Sequence, residues 1–172
     1  MVEIAAGRKP AASAMLMDRK TSTRRQAAAK LPRSRSKAMM QPMVPAKAGE
    51  ISLDYHMTLE ALRSGVANQY HIGSMAQAIY MAMLLSQRGY GAATPDLFRD
   101  AEAVILGCRK ARLETGVCIV DQDAYTLLGQ ILTLFDQQLA AVPVHELMTV
   151  NERLKKIFNA ANAERGGAGE TS

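Results

Sequence analysis

The chain has 172 residues, with 21 Lys and Arg against 16 Asp and Glu, two Cys and no Trp. The basic excess is confined to one end: residues 1–49 hold eleven basic and two acidic side chains (a balance of +9), whereas residues 50–172 hold ten basic and fourteen acidic ones (−4). This pattern predicts a cationic arm on a mildly acidic body, and excludes a membrane span, because no stretch approaches the roughly 18–20 apolar residues a span requires.

Residues 1–49 read as a disordered basic arm. Four of the six prolines lie here (Pro10, Pro32, Pro42, Pro45), and no aromatic residue precedes Tyr55. Such a segment buries too little apolar surface to offset the entropy of ordering it. Ala11–Leu31 lacks Pro and Gly and suits a transient helix, or a stable one on a partner. No secretory signal is read, because Ala11–Met17 is broken by Ser13 and soon meets Asp18 and Arg19. Four roles compete for the arm: contact with nucleic-acid phosphates, a solvated linker, a targeting segment, and attachment to an anionic membrane surface. In the first, Lys20, Arg24, Arg25, Arg33, Arg35 and Lys37 are the phosphate contacts, and binding weakens steeply with salt.

Residues 50–165 read as one domain, an all-α bundle of four or five helices, and 166–172 as a flexible end. The first helix is expected over Ser52–Ser64, with Ser52 as cap, Gly65 as stop, and Tyr55, Leu59 and Leu62 on one face. The second, Asn68–Arg88, is apolar nearly all round and should be central or lie in a subunit interface. Thr94–Pro95 opens the third, whose stripe is Leu97, Ala101, Val104, Ile105 and Cys108. Arg109, Lys110 and Arg112 complement the negative end of its dipole. Asp121 caps the fourth, with Tyr125, Leu128, Leu132, Phe135 and Leu139 inward. Pro143 opens the fifth, whose seam is Leu147, Val150, Leu154, Ile157 and Ala161 at alternating spacings of three and four.

No catalytic or metal-binding motif is evident, and no cofactor is implied. The three histidines, His56, His71 and His145, fall on three helices, and none completes His-Glu-x-x-His or Glu-x-x-His. Cys108 and Cys118 form no Cys-x-x-Cys. They read as two buried thiols, one in the core and one under a loop, and so fit a reducing, cytoplasmic setting. Gly89-Tyr90-Gly91 follows a helix and reads as a turn, and Asp121-x-Asp123 as a cap rather than a calcium loop.

LDYHMTLEALRSG from Leu53, the second helix ending in LLSQRGYG, and FDQQLAAVPVHELMTVNERL from Phe135 resemble small helical proteins of proteobacteria, some described as Fis-type transcriptional regulators. The resemblance covers the body, Leu53–Ile157. It implies a DNA-binding regulator with a helix-turn-helix near Thr149–Phe158. Leu154, Ile157 and Phe158 there are apolar, as a core face demands, so packing is read over base recognition.

The expectation is a non-enzymatic, nucleic-acid-associated regulatory protein, its arm on DNA or RNA and its bundle mediating self- or partner association. The alternative is a helical interaction module, an adaptor or effector, using a Met75, Met81 and Met83 surface and carrying the arm as linker or targeting segment.

Overall fold

The computed structural model describes residues 37–167, less the side chains at positions 161, 162 and 164–167. The described residues form five long helices: α1 (Pro45–Arg63), α2 (Gln69–Gln87), α3 (Pro95–Thr115), α4 (Gln122–Ala141) and α5 (Val144–Gly167). The fold is all-α, and among the described residues no helix is long and apolar enough to cross a membrane. The expected disorder over 1–36 and the Ala11–Leu31 helix lie outside the described residues.

Helix α1 corrects the first boundary. It begins seven residues before Ser52, with Pro45 in its first turn, where the missing N–H removes a donor that would otherwise lack a partner. Ser52 is therefore interior and caps nothing, and the 49/50 boundary falls inside the helix. Met43 and Ala48 pack on the core. Upstream, Val144 N donates to Gln41 O at 2.9 Å and His145 Nδ1 lies 2.9 Å from Met39 O, so residues 39–41 are pinned to the α4–α5 corner. At its other end, α1 stops before Gly65, which takes the expected left-handed conformation at φ 75°.

Helix α2 is central, one of the two places its nearly all-round apolar surface called for: it packs against α1, α3, α4 and α5. Met75 and Met81 are buried in the core and Met83 is partly buried, so these methionines are filling and not an exposed partner surface. Asn68 caps α2 by accepting from Tyr70 N and His71 N, and His71 Nδ1 accepts in turn from Asn68 N at 3.1 Å. This reciprocal capping box is a local role for a histidine that sequence motifs alone leave without one. Thr94 and Asp121 cap α3 and α4 as expected.

The two cysteines are corrected from free thiols to a disulfide. Gly116, left-handed at φ 79°, turns the chain back after α3 and brings Cys118 alongside Cys108, with Cα atoms 5.1 Å apart. With the two sulfurs joined, the cysteines no longer point to a reducing setting. Val120 N then donates to Leu62 O at 3.3 Å, fastening the loop over the end of α1.

Helix α5 packs through Leu147, Val150 and Leu154, all buried, and then through Phe158, which meets the Tyr80 ring edge-on at 5.6 Å. Ile157, expected in the seam, is 47% exposed. The contact from 147 to 158 covers eleven residues in three turns, close to the 3.6-residue period of a straight helix rather than the 3.5 of a supercoil. The helix also runs through Gly166 and Gly167, where a flexible end was expected.

Candidate functional site

The residues expected to carry function are mostly beyond reach of the structure. Lys20, Arg24, Arg25, Arg33 and Arg35 lie outside the described residues. Lys37 is the first described residue and is exposed. On α5, Arg153, Lys155 and Lys156 are exposed, and Lys155 pairs with Glu152 at 2.8 Å, which is the solvated face of a packed helix. The histidines do not converge: His56 pairs with Asp136, His71 serves the α2 cap, and His145 holds Met39 O. Among the described residues, no group of three or more His, Cys, Asp or Glu side chains is placed to hold a metal ion.

The structure instead builds a double cleft along α2 and α3. One lobe, of about 650 Å³, is lined by Met83, Thr94, Phe98 and Arg99 among others. The second, of about 380 Å³, lies between α2, α3 and the end of α5, with Gly73, Ala76, Ile105, Leu106, Arg109 and Phe158 on its walls. Ile79, Tyr80 and Glu102 line both lobes and mark where they meet.

At that junction the Tyr80 hydroxyl donates to the Glu102 carboxylate. Burial, and then this hydrogen bond, push the Tyr80 phenol up to about 12. Tyr80 is thus a neutral donor committed to Glu102 throughout the neutral range, well suited to hold its place in an otherwise apolar wall. In the larger lobe Arg99 is exposed and shared between Asp96 at 2.8 Å and Asp100 at 3.4 Å. Arg109, in the smaller lobe, is half-buried and has no ion-pair or hydrogen-bond partner among the described residues. The expected dipole complement is carried by Arg112, which donates to Gly116 O at the end of α3.

Gly73 is the other unexpected member. It sits inside α2, where glycine costs about 1 kcal/mol relative to alanine. A Cβ there would meet nothing within 4 Å. Packing does not require this glycine, which is exposed and lines the smaller lobe at its open edge. A mid-helix glycine in an otherwise apolar helix was the available sequence signal. The convergence of Tyr80, Glu102 and Arg109 had none, because it depends on the pairing of α2 with α3.

A moderately sized apolar lobe with a few polar groups at its ends is the usual form of a small-molecule site. Compared with known proteins, the chain matches no family model, no curated protein and no solved structure.

Proposed function

We propose that the protein is a non-enzymatic, nucleic-acid-associated regulatory protein, in which Lys20, Arg24, Arg25, Arg33, Arg35 and Lys37 contact phosphates and the helical bundle mediates association. The observation that carries this reading is the separation of charge, +9 over residues 1–49 and −4 over the rest. Phosphate contacts release counterions and carry no base readout, so the reading requires steep salt dependence and little sequence preference. A cytoplasmic location belongs to the same reading; the Cys108–Cys118 disulfide is the feature that pulls against it.

The test is fluorescence anisotropy of a labelled duplex with the full chain and with a variant carrying Arg24→Ala, Arg25→Ala, Arg33→Ala and Arg35→Ala. Losing four phosphate contacts should weaken binding at low salt and flatten its salt slope by roughly 3–4. Unchanged affinity would end the phosphate reading.

A helical interaction module, with residues 1–49 as linker or targeting segment, is the second reading. Its support is the α1–α2 groove of about 800 Å³, where Met57, Val66 and Tyr70 are all exposed. Scattered apolar residues on a surface need no explanation, but three around one groove are a basis for association. Substituting Met57→Glu and following size by light scattering separates this reading from the first, because the arm is untouched.

A further inference from the structure

The smaller lobe of the α2–α3 cleft is lined by no residue of the basic arm. Tyr80 and Glu102 meet across the two antiparallel helices. Seven positions earlier on α2 stands Gly73, and seven positions later on α3 stands Arg109, both lining the same lobe. Seven residues are about 10.5 Å of helix. The lobe therefore has a guanidinium at one end, a carboxylate–phenol pair at the other, and apolar walls of Ala76, Ile105 and Phe158 between them.

The charges select the occupant. Arg109 is half-buried and unpartnered among the described residues, while its neighbours on α3 are engaged: Lys110 with Glu114, and Arg112 with the carbonyls of Ala67 and Gly116. A guanidinium at an apolar wall favours an anion that it can hold through charge-assisted, forked hydrogen bonds. One guanidinium matches one negative charge, and Glu102, two turns away, opposes a second. The volume, about 380 Å³, lies in the range of small-molecule sites.

We propose that this lobe binds an amphipathic monocarboxylate, its carboxylate paired with Arg109 and its apolar body lying along Ala76, Ile105 and Phe158, past the exposed backbone at Gly73. Ligand binding here would fix the end of α5 against α2 and α3, because Phe158 forms part of the wall.

The test is calorimetric titration of the full chain with octanoate and, as the uncharged counterpart, octan-1-ol. Binding should be saturable, and octanoate should bind about tenfold or more tightly than octanol. Arg109→Gln should remove that preference, while Lys110→Gln, one position along the same helix, should leave it. Gly73→Leu places a side chain at the open edge of the lobe and should weaken binding of both probes. Gly73→Ala raises helix propensity, and so keeps the fold while weakening binding, which covers the case in which the larger side chain unfolds α2. No saturable octanoate binding, equal affinity for the two probes, an equal effect of Arg109→Gln and Lys110→Gln, or full binding by the folded Gly73 variants would each overturn the proposal.

Discussion

The Arg112 guanidinium donates to the carbonyl of Ala67 at 2.7 Å and, from the same nitrogen, to the carbonyl of Gly116 at 2.9 Å. One side chain thus ties the end of α3 to the loop between α1 and α2 and satisfies the turn that carries Cys118. Three loops and helix ends meet at this one cation. Because it is only half-buried, its contribution is set by the carbonyls left without a donor when it is removed. Arg112→Met should cost about 1–3 kcal/mol in urea unfolding. Arg112→Lys should recover part of this, since both bonds leave one nitrogen and an ammonium also carries several N–H donors on one atom, though on a stem of different reach. Equal stability of the methionine variant and the parent would show that water replaces the guanidinium at both carbonyls.

Gln138 does similar work inside the bundle. It is 2% exposed, and its amide nitrogen lies within 3.1 Å of Ala82 O, Ser86 Oγ and Tyr90 O. It thereby joins α4 to the end of α2 and to the turn that follows. Gly91 in that turn is left-handed at φ 80°, and a Cβ there would stand 2.7 Å from Leu134 Cδ1 and 3.6 Å from Gln138 Nε2. Gln138→Leu should cost about 1–3 kcal/mol by leaving the Tyr90 carbonyl without its donor. Gly91→Ala should cost about 1–2 kcal/mol from backbone strain alone. The two positions touch, so the double variant should depart from additivity by about 0.5 kcal/mol or more in a double-mutant cycle.

The Tyr80–Glu102 contact gives an alkaline signature. The Tyr80 phenol is raised from 10.0 to about 12, by burial first and by Glu102 second. Its neutral form is favoured in the folded state. The associated stability is fully present below pH 10 and is lost as pH rises toward about 12. Stability should therefore fall across that interval, and Tyr80→Phe should reduce the slope there. Tyr55 is also raised, chiefly by burial, and Tyr125 by its hydrogen bond to Glu60, so some slope will survive. Phenolate absorbance during an alkaline titration checks the order: Tyr80 should ionise among the last of the five tyrosines.

Local chemistry was the legible part of this chain. Asn68, Thr94 and Asp121 cap helices where a short polar side chain precedes an apolar period, and Gly65 follows one where a left-handed residue is needed. The nearly all-round apolar character of α2 called for the centre or a subunit interface, and the helix is at the centre. What the sequence concealed was non-local. Ile157 and Phe158 are adjacent and equally apolar, and only the packing of α5 on α2 decides that Phe158 faces inward. The cleft needs Gly73, Tyr80, Glu102 and Arg109 from two helices in one register, and Arg109 reads in sequence as one of three equivalent basic residues. The pairing of Cys108 with Cys118 depends on the reversal at Gly116, a turn that a spacing of ten residues does not disclose.

The start of α1 was concealed for a different reason, and it affects any study of the basic arm. Pro42 and Pro45 make the segment before residue 50 look unstructured, yet Pro45 occupies the one part of a helix that tolerates proline. A chain beginning at residue 50 would lose the first turn of α1, the packing of Met43 and Ala48, and the hydrogen bond from Val144 N to Gln41 O. A chain beginning at residue 37 keeps all three. The shorter chain should be less stable by about 2 kcal/mol, or roughly 5–10 °C in Tm, as followed by helical circular dichroism. Both remove Lys20, Arg24, Arg25, Arg33 and Arg35, but only the shorter chain also loses Lys37 and Lys47, so affinity lost by it alone reflects damage to the bundle only where Lys37→Ala and Lys47→Ala in the longer chain leave affinity unchanged. Equal Tm values would mean that residues 37–49 add nothing to the fold, and that the charge boundary at residue 49 is the structural boundary as well.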